Sequence, residues 1–276
     1  MALALGGPPL PDDPHGYRFW AEVTAAQARN TGKPSEVIHR RVRRFFHDLC
    51  RSVDPTLVLE LGAHEGTFST WAKGMFPEAQ CLALEANPYV HGEYRDVLGE
   101  AGVDYRHLAA ASTNGTVPIN IPLEIGRRTV APEKSRMASL GMHRDTRQHE
   151  SVEVEAVRLD DLVRPTGSDR IVAWIDVEGA SDAVLTGARE VLTRAATVYI
   201  EVESVELWSG QWLDVDVARF FRTIGKVPAM RDIQRRNNYN VVFVGEELAA
   251  RQDVIERAAR VLRPPHVPRD TTPATG

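Results

Sequence analysis

The chain has 276 residues, of which 43% are hydrophobic and 26% are charged, and its formal net charge at pH 7 is −5. This composition is typical of a globular protein and excludes a disordered chain or a fibrous repeat. The acidic balance also disfavours a protein whose main task is to hold nucleic acid, because such a protein needs a concentrated basic face.

Cysteine content and hydropathy indicate where the protein works. Cys50 and Cys81 are the two cysteines, too few for a disulfide scaffold and without metal-ligand spacing. We therefore expect reduced thiols and a cytoplasmic protein. Met1 to Leu10 lack the basic start and the cleavage site of a secretory signal, and no apolar run approaches the ~20 residues that span a bilayer.

The first 53 residues predict a helical extension. Between Tyr17 and Val53 apolar residues recur at three- and four-residue steps, and Pro34-Ser35-Glu36 is a helix start, which together predict two helices. The second carries a basic run with the spacing of a solvated helix face, for which a grip on an anionic substrate is the alternative. The run is Arg40, Arg41, Arg43 and Arg44.

From Thr56 onward, short apolar runs alternate with helical stretches, the pattern of a parallel sheet with crossover helices. The predicted strands are Leu57–Leu61, Cys81–Leu84, Val103–Leu108, Arg170–Asp176, Thr197–Glu203, Val227–Ile233 and Tyr239–Val244, with extra strands at Thr116–Ile121 and Val152–Val157. The predicted helices among them are Thr67–Met75, Asn87–Gly99, Ala180–Leu192 and Val215–Ile224. The last two strands form a hairpin through Arg235 and Arg236, so the sheet should end in an antiparallel strand.

The chain divides into three parts on this basis. A tail and helical extension occupy residues 1–53, a catalytic domain occupies residues 54–262, and a flexible proline-rich tail occupies residues 263–276.

The turn after the first strand carries the strongest local signal, Glu60-Leu61-Gly62-Ala63-His64-Glu65-Gly66. A dinucleotide fold needs a glycine at the middle position so that the backbone can approach a pyrophosphate, and His64 stands there instead. A turn of this spacing suits a nucleoside joined to an amino acid, as in S-adenosylmethionine. The helix that starts at Thr67 would point its positive end at the methionyl carboxylate, with Glu60 opposite the sulfonium and amino groups.

A second acidic residue supports this interpretation. Glu85 ends the second strand, where a carboxylate can accept hydrogen bonds from both ribose hydroxyls and would repel a 2′-phosphate. Small residues after the third strand leave room for an adenine. We expect the cofactor contacts to be Glu60, Gly62, Ala63, His64, Gly66, Thr67, Glu85, Ala86, Ala110 and Asp176.

The second half of the chain resembles the FkbM family of methyltransferases. The resemblance is carried by Trp174-Ile-Asp176-Val-Glu178-Gly179-Ala180, by the glycine turn, and by shorter matches. The shorter matches are Glu85-Ala-Asn87-Pro88, Ser139-Leu140, Leu159-Asp160-Asp161, Gly187-Ala188 and Ile200-Glu201-Val202-Glu203.

This resemblance implies a class I methyltransferase fold: a Rossmann-like α/β domain with a seven-stranded, mostly parallel sheet and an antiparallel final strand, here after an N-terminal helical extension. It also implies transfer of a methyl group to a hydroxyl of a sugar, lipid or natural product. Two positions depart from the family pattern, in which a lysine usually stands at Trp174 and a glutamate at Ser181.

Carboxylates at the ends of two neighbouring strands are the candidate catalytic groups. Asp176 is our candidate for the polar group nearest the reacting centre, and Glu178 or Glu203 for the base that accepts the hydroxyl proton. Glu178 has a structural alternative as a helix cap. His143, in a polar loop, is a further candidate, as a lid residue or merely a solvated one.

A divalent cation such as Mg²⁺ is the alternative to a base, with Asp176, Glu201 and Glu203 as its candidate ligands. Trp208 and Trp212 follow the fifth strand and would stack on a sugar or simply pack. The partner is expected to be a small molecule or glycan with a free hydroxyl, without nucleic acid or a membrane span. An NAD-dependent oxidoreductase and a non-catalytic cofactor-binding module stay as rivals, and the sequence leaves homo-oligomerisation open.

Overall fold

The computed structural model describes residues 14–125, 128–132, 135, 137–233 and 237–263. Most of the two predicted tails, at residues 1–13 and 264–276, and the predicted turn at Arg235 and Arg236 lie outside the described residues.

Helices and strands alternate through the middle of the chain. The helices are α1 (Pro14–Arg29), α2 (Ser35–Val53), α3 (Thr67–Met75), α4 (Pro88–Glu100), α5 (Leu159–Leu162), α6 (Ser181–Gly187), α7 (Arg189–Arg194), α8 (Asp214–Thr223), α9 (Glu246–Ala249) and α10 (Gln252–Val261). The strands are β1 (Leu57–Leu61), β2 (Gln80–Glu85), β3 (Asp104–His107), β4 (Ala109–Ala110), β5 (Gly115–Ile125), β6 (Arg128–Thr129), β7 (Thr146–Val157), β8 (Ile171–Ile175), β9 (Ala195–Glu203), β10 (Lys226–Arg231) and β11 (Asn238–Gly245).

A seven-stranded sheet in the order β10-β11-β9-β8-β1-β2-β3 forms the centre of the fold. β11 runs antiparallel to both of its neighbours, and the remaining pairs are parallel. The predicted mostly parallel sheet with an antiparallel final strand is therefore confirmed. β1 lies next to β8, and the chain crosses from one half of the sheet to the other between them. Open α/β sheets bind ligands at the carboxyl ends of the strands that flank such a crossing.

Predominantly apolar runs explain the central strands. All five residues of β1 are buried, Glu60 among them, and in the wholly apolar β8 only Trp174 is partly exposed. A parallel strand covered by helices on both faces requires such a run rather than an alternating pattern.

A smaller sheet, in the order β4-β7-β5-β6, follows β3. Its centre is the long antiparallel pair of β5 and β7, whose register runs from Gly115 opposite Ala156 to Ile125 opposite Thr146. The sequence predicted two extra strands here without their pairing. The buried side chains between the strands and the neighbouring loop are Ala109, Ala111, Ile119, Ile121, Val154 and Ala156.

The two N-terminal helices pack on opposite faces of the large sheet. α2 contributes Ile38, Val42, Phe45, Phe46 and Leu49 to the core on one face. α1 contributes Tyr17 and Trp20 to the other, and Tyr17 Oη lies 3.0 Å from Tyr239 Oη of β11. The helical extension is thus built into the core of the domain.

One predicted helix, Ala180–Leu192, is two helices in the structure. α6 ends at Gly187 because the chain passes close to the loop after β4: a Cβ at Gly187 would lie 1.9 Å from the Ala111 carbonyl oxygen. α7 then starts anew, and the Asp160 carboxylate accepts from Glu190 N at 3.1 Å and Val191 N at 3.0 Å.

We predict that Asp160→Ala lowers stability, because the first turn of α7 loses its buried acceptor. Loss of a helix cap costs about 1 to 2 kcal/mol, and each kcal/mol is worth roughly 2 to 4 °C in Tm at this chain length. Thermal unfolding would measure the shift. The control is Asp161→Ala, whose side chain is 48% exposed; an equal loss in both variants would contradict the capping role.

The C-terminal helix α10 was not predicted. It packs against α2 through an apolar face of Val254, Ala258 and Val261. Of the helices in the described part of the chain, none has both the length and the apolar character that a bilayer crossing requires.

Candidate active site at the carboxyl edge of the sheet

The turn between β1 and α3 is held against the ends of both neighbouring strands. Gly62 N and Ala63 N donate to the Leu84 carbonyl of β2 at 3.0 and 2.9 Å, and Asp176 N donates to the Leu61 carbonyl at 2.9 Å. Gly62 has φ +72°, and a Cβ there would lie 2.0 Å from the Asp176 carbonyl oxygen. Only glycine fits this position, because any side chain would push β1 and β8 apart at their carboxyl ends.

Glu85 ties this turn to the start of α4. Its buried carboxylate accepts from His64 N at 2.8 Å and from Asn87 N at 2.7 Å, and burial raises its pKa. His64 has φ +46°, and its carbonyl accepts from Tyr105 Oη at 2.7 Å. The strained backbone of the turn is therefore fixed on both sides.

A cavity of about 260 Å³ opens beside Glu85. It is lined by six of the predicted cofactor contacts, namely Gly62, His64, Glu85, Ala86, Ala110 and Asp176. Leu108, Ala109, Ile119 and Leu140 give it apolar walls, and the small sheet closes one side. An apolar slot with a carboxylate at one end suits a flat, partly polar ligand such as a nucleoside.

Glu60 has a different environment from the one predicted. Its buried carboxylate accepts from Phe68 N at 3.2 Å and Ser69 N at 2.8 Å, in the first turn of α3, and burial raises its pKa to about 7. These two amides are therefore engaged by Glu60, contrary to the expectation that the amino end of α3 is open to a ligand carboxylate. Sequence reasoning missed this arrangement, since spacing alone does not show which way a buried side chain points.

Three carboxylates gather where β8 and β9 end. Asp176, Glu178 and Glu201 each place an oxygen within 4.8 Å of the other two. Burial and the neighbouring negative charges raise the pKa of Glu178 well above its ordinary value and that of Glu201 to about 8. Asn238 Nδ2 donates to Glu201 Oε1 at 2.8 Å. All three carboxylates line the cavity.

Glu203 does not belong to this group, although it was predicted both as a base and as a metal ligand. Glu203 is buried, which raises the pKa of its carboxyl to about 7, and the Gly179 backbone amide lies close to it. Glu178 takes its place among the clustered carboxylates, because the chain turns back toward β9 directly after β8. In this structure Glu203 lies beside the turn after β8, close to Gly179.

His143 is not part of the carboxylate cluster; its ring packs nearly perpendicular to that of Trp208, with ring centroids 4.8 Å apart. Its Nδ1 accepts from Asp145 N at 3.1 Å, and His143 does not line either of the cavities described here. Trp208 itself is 1% exposed, and a Cβ at Gly179 would lie 2.1 Å from its ring. Trp208 therefore packs under the turn after β8 and is not available to stack on a sugar.

Ser139 joins the loop of the small sheet to the carboxylates. Its Oγ donates to the Glu178 carbonyl and accepts from Gly141 N at 3.0 Å. The loop backbone pairs with Asn120 of β5 through two hydrogen bonds at 2.7 and 3.1 Å. This loop lies over the first cavity, since Ala138, Ser139 and Leu140 all line it.

A second cavity, of about 460 Å³, lies on the other side of the glycine turn. Gly62, His64, Asp176 and Glu201 line both cavities, so the two lie side by side at the crossing point of the sheet. Its other predicted residues are Glu60, Ala63 and Thr67. Gly66 lines neither cavity; it lets the turn pack against Leu98, where a Cβ would lie 2.6 Å from Cδ2.

Helix α2 supplies part of the second cavity that the sequence did not assign to the site. His39, Arg43 and His47 line it, together with Trp71 and Trp174. The sequence did indicate that these three side chains of α2 lie together, because residues four positions apart share one face of a helix.

The two departures from the family pattern have ordinary packing environments. Trp174 stacks on Tyr199, with ring centroids 3.9 Å apart, and lines the second cavity. Ser181 is buried at the start of α6.

Comparisons with known proteins find similar methyltransferases. The chain is 26% identical over 196 residues to the 2-O-methyltransferase NoeI of Sinorhizobium fredii, which covers 67% of this chain and 77% of that protein. It is 28% identical over 174 residues to the methyltransferase sdnD of Sordaria araneosa, covering 52% of this chain and 64% of that protein. Among solved structures, an FkbM methyltransferase from Methylobacillus flagellatus matches with a TM-score of 0.45 and 12% identity, over 69% of this chain and 44% of that one.

The sequence profile of the methyltransferase FkbM domain matches residues 60–241. This span begins at Glu60, near the end of β1, and ends within β11. It therefore includes the residues of the large sheet that line the two cavities. It also covers well over half of the chain. The protein therefore belongs to the FkbM family of methyltransferases.

Proposed function

We propose that the protein is an S-adenosylmethionine-dependent O-methyltransferase that acts on a hydroxyl of a sugar, glycolipid or natural-product small molecule. The observation that carries the proposal is the pair of adjacent cavities at the crossing point of the sheet, with Glu85 beside one and clustered carboxylates where the two adjoin. The name of the relative NoeI supports the choice of oxygen as acceptor atom.

The residues present fit this methyl donor. Gly62 keeps the turn free of any side chain at the junction, and Glu85 lies at the end of β2, where its carboxylate would accept from ribose hydroxyls. Ala86 and Ala110 would lie along the adenine. The carboxylates at the junction would favour a positive charge nearby. When bound, S-adenosylmethionine supplies an electrophilic methyl group on a positively charged sulfur.

The chain's own task is to orient the acceptor hydroxyl and to take its proton. Orientation brings most of the rate in such a displacement, and a positioned base adds about 10²- to 10⁴-fold. We assign the proton to the cluster of Asp176, Glu178 and Glu201. A pKa near neutrality, as at Glu201, is the value at which a base works best at neutral pH.

Mg²⁺ at the same three carboxylates stays the alternative, because their oxygens are the ligands that Mg²⁺ prefers. Chelation separates the two. If the carboxylates act as the base, treatment with EDTA followed by gel filtration leaves methyl transfer unchanged; if they hold a metal, activity is lost and returns with added Mg²⁺.

Transfer of a labelled methyl group tests the proposed function. The purified protein would be incubated with methyl-labelled S-adenosylmethionine and separate pools of sugars, glycolipids and hydroxylated natural products, and the products would be located by NMR. We expect an O-methyl ether in one pool. Methylation found only at nitrogen or carbon would contradict the choice of acceptor atom.

A further inference from the structure

The second cavity contains charges of both signs. Asp176 and Glu201 line it at the junction with the first cavity, and Arg43 reaches it from α2. Among the described residues that line either cavity, Arg43 is the one lysine or arginine. A ligand in this cavity that carries an anionic group therefore has Arg43 as its cationic partner.

The other basic side chains on this face of α2 are not available to an anion. His39 Nδ1 lies 2.7 Å from Asp232 Oδ2, so its ring is already paired. His47 stacks on Trp71 with ring centroids 3.8 Å apart, and burial and the adjacent arginines lower its pKa to about 4, which leaves it neutral at pH 7.

The Arg43 side chain is partly buried, and it makes no hydrogen bond or ion pair with any residue that the structure describes. A guanidinium usually finds a carboxylate or phosphate partner when it is taken partly out of water, because its five N–H donors suit a planar anion. Arg40 and Arg44 of the same helix are exposed, so their guanidinium groups remain in water and do not require an anionic partner.

The proposed donor has an anionic group that still needs a partner on this side of the turn. The amides of Phe68 and Ser69, at the amino end of α3, are taken by Glu60. They cannot also receive the methionyl carboxylate. The second cavity is lined by the same turn, from Gly62 to Glu65, and by Thr67 and Phe68.

We propose that Arg43 binds the carboxylate of the methionine portion of S-adenosylmethionine, so that the N-terminal helix α2 forms part of the cofactor site. The amino acid portion then lies in the second cavity, with its ammonium group toward the junction carboxylates and its carboxylate toward α2. This inference rests on the proposed function, since it takes that donor as the ligand.

Isothermal titration with two ligands tests the inference. Arg43→Gln should weaken binding of S-adenosylmethionine about 10- to 100-fold, the range for loss of a charge-assisted hydrogen bond. Decarboxylated S-adenosylmethionine lacks only the carboxylate, so the variant and the wild type should bind it equally. Arg44→Gln, one residue along the same helix and exposed, is the matched control and should bind both ligands as the wild type does.

Each result bears on the assignment. Unchanged affinity of Arg43→Gln for S-adenosylmethionine would overturn it, and so would an equal loss for both ligands, which would indicate a general change in the site. A raised KM for the acceptor with unchanged donor affinity would place Arg43 on the acceptor instead. Failure of the wild type to bind S-adenosylmethionine at all would instead refute the proposed function.

Discussion

Gly62→Ala should destabilise the protein strongly and impair donor binding in whatever fraction still folds. The new Cβ would lie 2.0 Å from the Asp176 carbonyl oxygen, and alanine is disfavoured at φ +72°. Overpacking and left-handed backbone strain together cost about 2 to 4 kcal/mol. The turn can relax only by moving away from β8. That movement would displace the residues that line both cavities. Thermal unfolding and titration with S-adenosylmethionine would measure both effects.

Gly74→Ala is the matched control for this variant. Gly74 lies in α3, and nothing lies within 4 Å of a Cβ built there. Alanine should therefore stabilise the helix by about 0.5 to 1 kcal/mol. A wild-type Tm and donor affinity in Gly62→Ala would show that the contact between β1 and β8 does not constrain this position.

Glu201→Gln should move activity and stability in opposite directions. The variant keeps an oxygen that accepts from Asn238 Nδ2 but cannot take a proton. We expect kcat to fall about 10²-fold or more, while affinity for S-adenosylmethionine changes only a few-fold. Glu153→Gln, exposed on β7, is the control and should leave kcat unchanged.

The stability effect follows from the pKa of Glu201. Folding raises it from 4.5 to about 8, so the folded state binds more protons than the unfolded state between these values. Its contribution to stability is present below pH 4.5 and is lost as the pH rises toward 8. Glutamine removes that loss, so Tm at pH 8.5 should exceed the wild-type value by several degrees and the two should converge near pH 5. A lower Tm for the variant at pH 8.5 would contradict a buried, repelled carboxylate.

The sequence predicted the parts of the fold that depend on local pattern. β1 and α3 have the predicted bounds, because a short run of apolar residues interrupted only by Glu60, followed by a glycine turn, determines a strand and a helix start without help from distant residues. Glu85 lies at the end of its strand for the same reason. The split of one predicted helix at Gly187 depended instead on a contact with Ala111, 76 positions earlier, which no local pattern shows.

The candidate site was predicted less completely than the fold. Asp176 and Glu178 were expected near the reacting centre and line the first cavity. Strand alternation placed Glu201 and Glu203 on one face, yet only Glu201 lines the cavities, while Glu203 is buried close to Gly179. Arg43 was expected on a solvated face. Its contribution depends on how α2 docks against the glycine turn, which is a tertiary contact.

Titration of the wild-type protein with S-adenosylmethionine and, separately, with NADH tests the central claim most directly. The proposed function predicts micromolar binding of S-adenosylmethionine, its loss in Glu85→Ala, and no binding of NADH. Absence of S-adenosylmethionine binding, or a preference for NADH, would contradict the assignment of these cavities to a methyl donor.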